Sequence, residues 1–267
     1  NPPYAEASNA RGIAGTGENR VGLSLSAVKT RYEDELGRAG NELFAQFFAR
    51  VVREINGAVL GMFSKLKILQ APNFLPFRVS FAARMSRMFM VPADTFDNVK
   101  GQFPIGFQIW RTSESVPFSE ATADVFDSVG RYLCSKSISS YVGCRYLIEW
   151  FRKYYDKQGE HYAYLRFLGT DFQHNNGVFV TLRPSRTDLE QVKGTWTTPS
   201  NVLQSSVYFA VRLCMEATWL NDRDQFLFPN DGWKTDGEFQ GDCLVFTLFH
   251  GQNRISCEHG VNHWIPF

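Results

Sequence analysis

Apolar spacing is the first signal in this chain. Between residues 41 and 55, Leu43, Phe44, Phe47, Phe48, Val51, Val52 and Ile55 recur three and four apart, which places them on one face of a helix. Asn41 suits the N-cap, Glu42 suits the positive helix start, and Gly57 suits the stop. Residues 58–63 are a short apolar run and predict a strand buried on both faces. A helix followed by a buried strand is half of a β–α–β unit, so the pattern predicts a mainly parallel α/β sheet. Residues 74–87 predict a second helix, 88–91 a short strand and 105–111 another. A single loop joins these two strands, so they are expected to be adjacent and antiparallel. Upstream, 23–36 has room for one short helix.

From Ser113 the pattern changes. Residues 118–134 carry acids and a weak helical period, and 142–155 is an aromatic, helix-like run. Strands are expected over 162–168 and 178–182, with a turn at 173–177 between them. A helix is expected over 202–219 and a buried strand over 243–249. The chain is therefore read as two regions, 1–112 and 113–267, the second being α+β in character.

Composition narrows the classes. The 267 residues are 44% hydrophobic and 15% aromatic, enough for a substantial core. Lys and Arg number 28 against 27 Asp and Glu, so a wholly basic surface is excluded while a local basic face is not. No run approaches the roughly 18 apolar residues of a membrane span. Five cysteines, an odd number without CxxC spacing, fit a reduced, cytoplasmic protein. Gly12, Gly15 and Gly17 lie in a small-residue loop, but no Lys-Ser/Thr follows and there is no GxGxxG register, so it is not read as a nucleotide loop. Arg11, Arg20, Lys29 and Arg31 are candidates to touch a phosphate backbone. Arg145, Arg152, Lys153, Tyr154 and Tyr155 make a basic-aromatic stretch that could meet DNA or be a solvated helix face. Cys243, His250, Cys257, His259 and His263 cluster in sequence. Gly260 and a strand-like pattern argue against a helical metal pair at His259 and His263, and no metal site is assigned.

The candidate chemistry begins at residue 1. Asn1-Pro2-Pro3-Tyr4 is stiff, because each proline fixes its own φ and biases its predecessor toward extended backbone. The asparagine carbonyl and the backbone carbonyl of Pro2 can accept from an exocyclic amine, and Tyr4 can stack on a planar ring. The run resembles catalytic motif IV of the γ-type N6-adenine DNA methyltransferases, found in type I modification subunits and combined restriction–modification enzymes. In their order, residues 41–48 are similar to the motif V helix and 58–64 to the motif VI strand. Phe96, before the strand 103–110, is similar to the motif VIII ring, with Phe103 as its rival.

The resemblance covers residues 1–112. It implies the C-terminal half of a Rossmann-like sheet with an antiparallel end strand. It also implies S-adenosyl-L-methionine as cofactor, with Asn41 and Phe44 bordering its pocket. Double-stranded DNA with a flipped adenine is the implied partner, with a specificity or restriction subunit as a possible companion. Asn1, Pro2 and Pro3 would hold the amine, while Tyr4 and Phe96 would stack on the base. The family's glycine-rich donor loop precedes motif IV and does not occur here, so most of the donor site is expected upstream of residue 1. The chain is expected to be an inactive piece of a longer enzyme. Two other readings stand beside this one: a protein-glutamine N-methyltransferase, which also uses Asn-Pro-Pro-Tyr, and a non-catalytic DNA-binding or interaction module.

Overall fold

The computed structural model describes residues 26–255 apart from 56, 98, 100, 141–145, 192 and 229. The chain is a mixed α/β fold that divides into two compact units at Val142 and Gly143.

The first unit starts with two short helices, α1 (Ala27–Arg31) and α2 (Glu33–Leu36), where one short helix was expected. Helix α3 follows over Leu43–Glu54, close to its sequence prediction. Glu42 takes the N-cap position expected for Asn41, and Gly57 sits at φ 72°, a conformation glycine adopts without strain. Strand β1 (Val59–Lys65) leads through α4 (Lys67–Gln70) and α5 (Leu75–Ser80) to β2 (Arg84–Pro92). The predicted helix 74–87 thus stops at Ser80, because Arg84 to Arg87 pair with β3 (Pro104–Arg111) instead. Strands β4 (Glu120–Phe126) and β5 (Tyr132–Ser139) complete the sheet. The weak helical period expected over 118–134 is overturned. Ala121, Ala123 and Val125 alternate with polar residues, and Asp127 Oδ1 closes a turn by accepting from the N–H groups of Val129 and Arg131.

Sheet order is β1-β3-β2-β4-β5. Strand β3 is antiparallel to both β1 and β2, as expected for β2, while β2 and β4 pair in parallel and β4 and β5 are antiparallel. The sheet is therefore mixed rather than mainly parallel. Nor is β1 buried on both faces: it is an edge strand, and Val59 is 63% exposed. The parallel pairing of β4 with β2 also carries the sheet past residue 112, where the sequence had placed the division.

One face of the sheet carries the core. Phe44 and Phe48 of α3, Phe77 of α5, Phe74 and Phe81 interlock with Trp110 of β3. Phe44 stacks on Phe74 at 5.7 Å, and Phe81 meets Trp110 edge-on at 5.1 Å. Beneath them Gln108 donates to Ser64 Oγ at 2.9 Å and accepts from Trp110 Nε1 at 3.1 Å. Gly106 makes room for this layer: a Cβ there would lie 2.6 Å from the Met88 methyl.

The second unit contains α6 (Leu147–Arg152), β6 (Ala163–Arg166), β7 (Phe179–Thr181), α7 (Arg186–Glu190), β8 (Gly194–Thr197), α8 (Val202–Leu213) and α9 (Gly237–Phe249). The expected strands 162–168 and 178–182 are present and antiparallel, in the order β7-β6-β8. Helix α8 ends at Leu213 rather than at residue 219. The expected strand over 243–249 is instead the end of α9. Asp236 caps that helix by accepting from the N–H of Phe239 at 2.9 Å, and a short apolar run is ambiguous by period alone. The core joins Phe151, Leu165, Val178, Val207, Tyr208 and Phe209. No described helix is long and apolar enough to cross a membrane.

Candidate functional site

Strand directions define one special edge of the first sheet. β1 and β2 both run against β3, and β4 runs with β2, so Lys65, Pro92 and Phe126 end their strands on the same side. In open α/β sheets the crevice outside such carboxyl ends is where ligands bind.

Two groups of residues gather there. The first follows β2. Ala93 donates its N–H to Phe103 O at 2.9 Å, Phe96 donates to Ala93 O at 3.1 Å, and Gln102 Nε2 donates to Asp94 Oδ2 at 2.8 Å. These bonds fold the loop so that Phe96 leans edge-on against Phe63 of β1, with ring centroids 5.1 Å apart. Phe96 is half-buried, with part of its ring open. Phe103 is half-buried as well, and both pack beside Val91, Ala93 and Ile105. The structure thus brings Phe96 to the ligand edge and leaves Phe103 as its neighbour.

The second group follows β1. Glu42, at the start of α3, is 2% exposed. Lys67 donates to its Oε1 at 2.6 Å, and Lys65 Nζ lies 3.9 Å from its Oε2. A carboxylate this deep is tolerated because a lysine neutralises it. Sequence reasoning gave Glu42 only a helix-start role. The overlooked signal was the pair Lys65 and Lys67, two apart just after an apolar strand.

The other sequence candidates fall differently. Asn1, Pro2, Pro3, Tyr4, Arg11 and Arg20 lie outside the described residues. Lys29 donates to Asn41 Oδ1 at 2.8 Å, so each occupies the other. Arg31 is 69% exposed, with Glu54 3.6 Å away, and remains accessible to a phosphate. Phe44 is fully buried in the aromatic core. Of the two residues that the resemblance assigned to the S-adenosylmethionine pocket, Phe44 is consumed by core packing, while Asn41 is half-exposed with its amide oxygen bonded to Lys29.

In the second unit the tyrosines of the basic-aromatic stretch pack against the core while Arg152 and Lys153 are exposed, and Arg145 lies outside the described residues. Tyr155 packs edge-on against Phe151 at 5.6 Å, and burial pushes its phenol pKa up. Lys153 lies over the Tyr154 ring at 5.0 Å. Cys243 is buried, its thiol pushed up to about 11 by desolvation, and His250 stacks on Phe246 at 4.7 Å. Cys257, His259 and His263 lie outside the described residues, and among the described residues no group of three metal-ligating side chains forms. Comparison with protein-family models, with curated proteins and with solved structures found no match.

Proposed function

We propose that this chain is the target-base side of an S-adenosylmethionine-dependent DNA methyltransferase acting on adenine N6 in a restriction–modification or related defence system. The observation that carries the reading is the run Asn1-Pro2-Pro3-Tyr4 followed, in the order the resemblance implies, by a helix, a strand and a loop that ends in an aromatic ring. Two structural features support it. β1, β2 and β4 run in one direction, as strands of a Rossmann-like sheet do, although antiparallel β3 lies between β1 and β2 rather than at the sheet's end. Phe96 stands half-open at the carboxyl edge, where a ligand is expected in such a sheet.

The chemistry assigned to these residues is positional. An adenine turned out of its duplex loses stacking worth a few kcal/mol. Rings of Tyr4 and Phe96 return roughly 1–3 kcal/mol per base contact. The Asn1 carbonyl and Pro2 backbone carbonyl accept from the amine and fix its direction, and acceptors so placed stabilise the positive charge that grows on nitrogen in the transition state. The reading assigns no part to a metal. It assigns the donor to residues other than Phe44.

The test is the rate of N6-methyladenine formation by the protein that carries this chain. Phe96→Ala is expected to lower kcat/KM about tenfold or more, in line with the loss of one base–ring contact. Phe103→Ala is expected to leave it within about twofold, since surface-side changes away from the contact are small. The reverse pattern would move the role to Phe103. Methylated glutamine in a protein substrate, without methylated DNA, would favour the glutamine methyltransferase. No methyl product at all would favour the non-catalytic reading.

A further inference from the structure

The first sheet has a second face that none of the preceding roles uses. Strand register places Phe63, Phe107 and Phe89 in one row across β1, β3 and β2. Phe126 of β4 continues it, 6.1 Å from Phe89, and Tyr132 of β5 ends it, 5.8 Å further on. This face is opposite the one that carries Phe48, Phe81 and Trp110, because neighbouring residues in a strand point to opposite sides. All four phenylalanines are half-buried, and Tyr132 is 54% exposed. Phe63, Phe89 and Phe126 of the row pack with Val91 and Ile105 of the strands and with Ala93, Phe96, Val99 and Phe103 of the loop after β2.

The same face carries cations. Arg111 and Arg84 are a cross-strand pair, and Arg87 lies opposite Ile109 on the same side. Like charges directly opposite one another are unfavourable unless something answers them. Glu114 answers Arg84 at 3.1 Å. Arg87 and Arg111 are exposed and have no partner among the described residues. A groove of about 410 Å³ runs between Arg84, Arg111, Glu114 and Phe118 at this end of the sheet. Glu120 and Asp124 on β4 are the opposing charges of the face.

We infer that this open face is a docking surface for an amphipathic helix of a protein partner, with an aliphatic stripe on the ring row and acidic side chains against Arg84, Arg87 and Arg111. Three observations converge on that occupant. The solvent side of a largely antiparallel sheet is normally polar, whereas here the face away from α3 and α5 carries a row of half-buried phenylalanines. The unanswered arginines call for carboxylates. The rings engage one another rather than offering free faces. Phe63 meets Phe89 at 83°, Phe89 meets Phe126 at 88°, and Phe107 stacks on Phe89 at 25°. Flat base stacking needs an open ring face, whereas aliphatic side chains pack well into ring edges, so polypeptide is favoured over single-stranded nucleic acid.

The test is fluorescence anisotropy with a labelled amphipathic peptide carrying a leucine stripe flanked by glutamates, titrated with the whole chain. Saturable binding is expected, weakened about tenfold or more by Phe89→Ser or by Arg87→Glu with Arg111→Glu, as for loss of an interface anchor. A peptide with lysine in place of glutamate should restore binding to the charge-reversed variant. Both arginines are exposed, so that variant keeps the core intact and remains readable even if Phe89→Ser unfolds. Absence of binding, or equal binding by all variants, would overturn the inference. So would a self-association lost on Phe89→Ser, which would give the face to a second copy. Capture of oligo(dT) lost in the same variants would give it to nucleic acid.

Discussion

The first unit leaves Arg87 and Arg111 exposed on a sheet face without a partner among the described residues, whereas the second sinks Arg212 of α8 to 1% exposure. Among the described residues that buried guanidinium forms no ion pair with a carboxylate. It donates to the carbonyls of Gly169 and Leu168 at 3.1 Å and of Asp171 at 3.2 Å, to Asn175 Oδ1 at 3.2 Å and to Tyr208 Oη at 2.9 Å. The Phe226 ring lies 4.8 Å from its central carbon. Dipoles and a ring face thus replace a counter-ion, and one cation organises the whole turn 168–175. The contrast teaches where to look for function. In the second unit the buried charge of Arg212 is consumed by architecture. In the first, charge and half-open rings remain available, at the sheet edge that bears Phe96 and on the face that bears Phe89.

The contrast can be broken most forcefully at Arg212. Arg212→Leu strands the carbonyls it serves, and buried acceptors left without a donor cost about 1–3 kcal/mol each. Arg87→Gln should change stability by no more than about 0.5 kcal/mol. Urea midpoints of the two variants measure the difference, and similar shifts would erase the distinction between the units.

A smaller effect is expected inside the first unit. Gln108→Leu leaves the Trp110 indole N–H and the Ser64 hydroxyl buried without partners, for a loss of about 1–3 kcal/mol. Gln108→Glu keeps an acceptor for Trp110 but buries a carboxylate, and should not rescue. Urea unfolding followed by tryptophan emission reports both.

The mildest test uses pH. Asp156 in the second unit is held down to about 2, first by the N–H of Gln158 and then by the hydroxyls of Ser200 and Thr198. Its folded pKa lies below the ordinary carboxylate value of about 3.9, so its contribution is complete above roughly pH 4 and disappears as pH falls through the folded value. The difference in melting temperature between the unaltered protein and Asp156→Asn should therefore close between about pH 4 and pH 2. A constant difference down to pH 2 would detach Asp156 from acid stability.

What the sequence disclosed follows from which forces are local. Helix α3 was readable because Leu43, Phe44, Phe47 and Phe48 repeat at helical spacing and one face dominates. The antiparallel pairing of β2 and β3 followed from the short loop between them. The weak period over 118–134 misled because the alternation of Ala121, Ala123 and Val125 and the turn at Asp127, which join β4 to β5 in a hairpin, were the stronger signal. The run Cys243 to Phe249 misled because seven apolar-rich residues suit either element, and the cap that decides, Asp236, lies outside the run. At the candidate site, the position of Phe96 in the loop before β3 was legible, whereas its role is a proposal. Glu42 was not, since only the fold brings Lys67 to within 2.6 Å of it. Phe44 was misassigned because a helical phenylalanine gives the same pattern whether it lines a pocket or fills a core.

The central claim, that Asn1 holds the amine of an adenine for methylation, is tested most directly by nucleoside analysis of DNA after incubation with S-adenosylmethionine and the protein carrying this chain, with and without Asn1→Ala. The account predicts N6-methyladenine in the unaltered sample and its loss in the variant, with melting temperature unchanged. Undiminished N6-methyladenine from Asn1→Ala, or none from the unaltered protein, would contradict it.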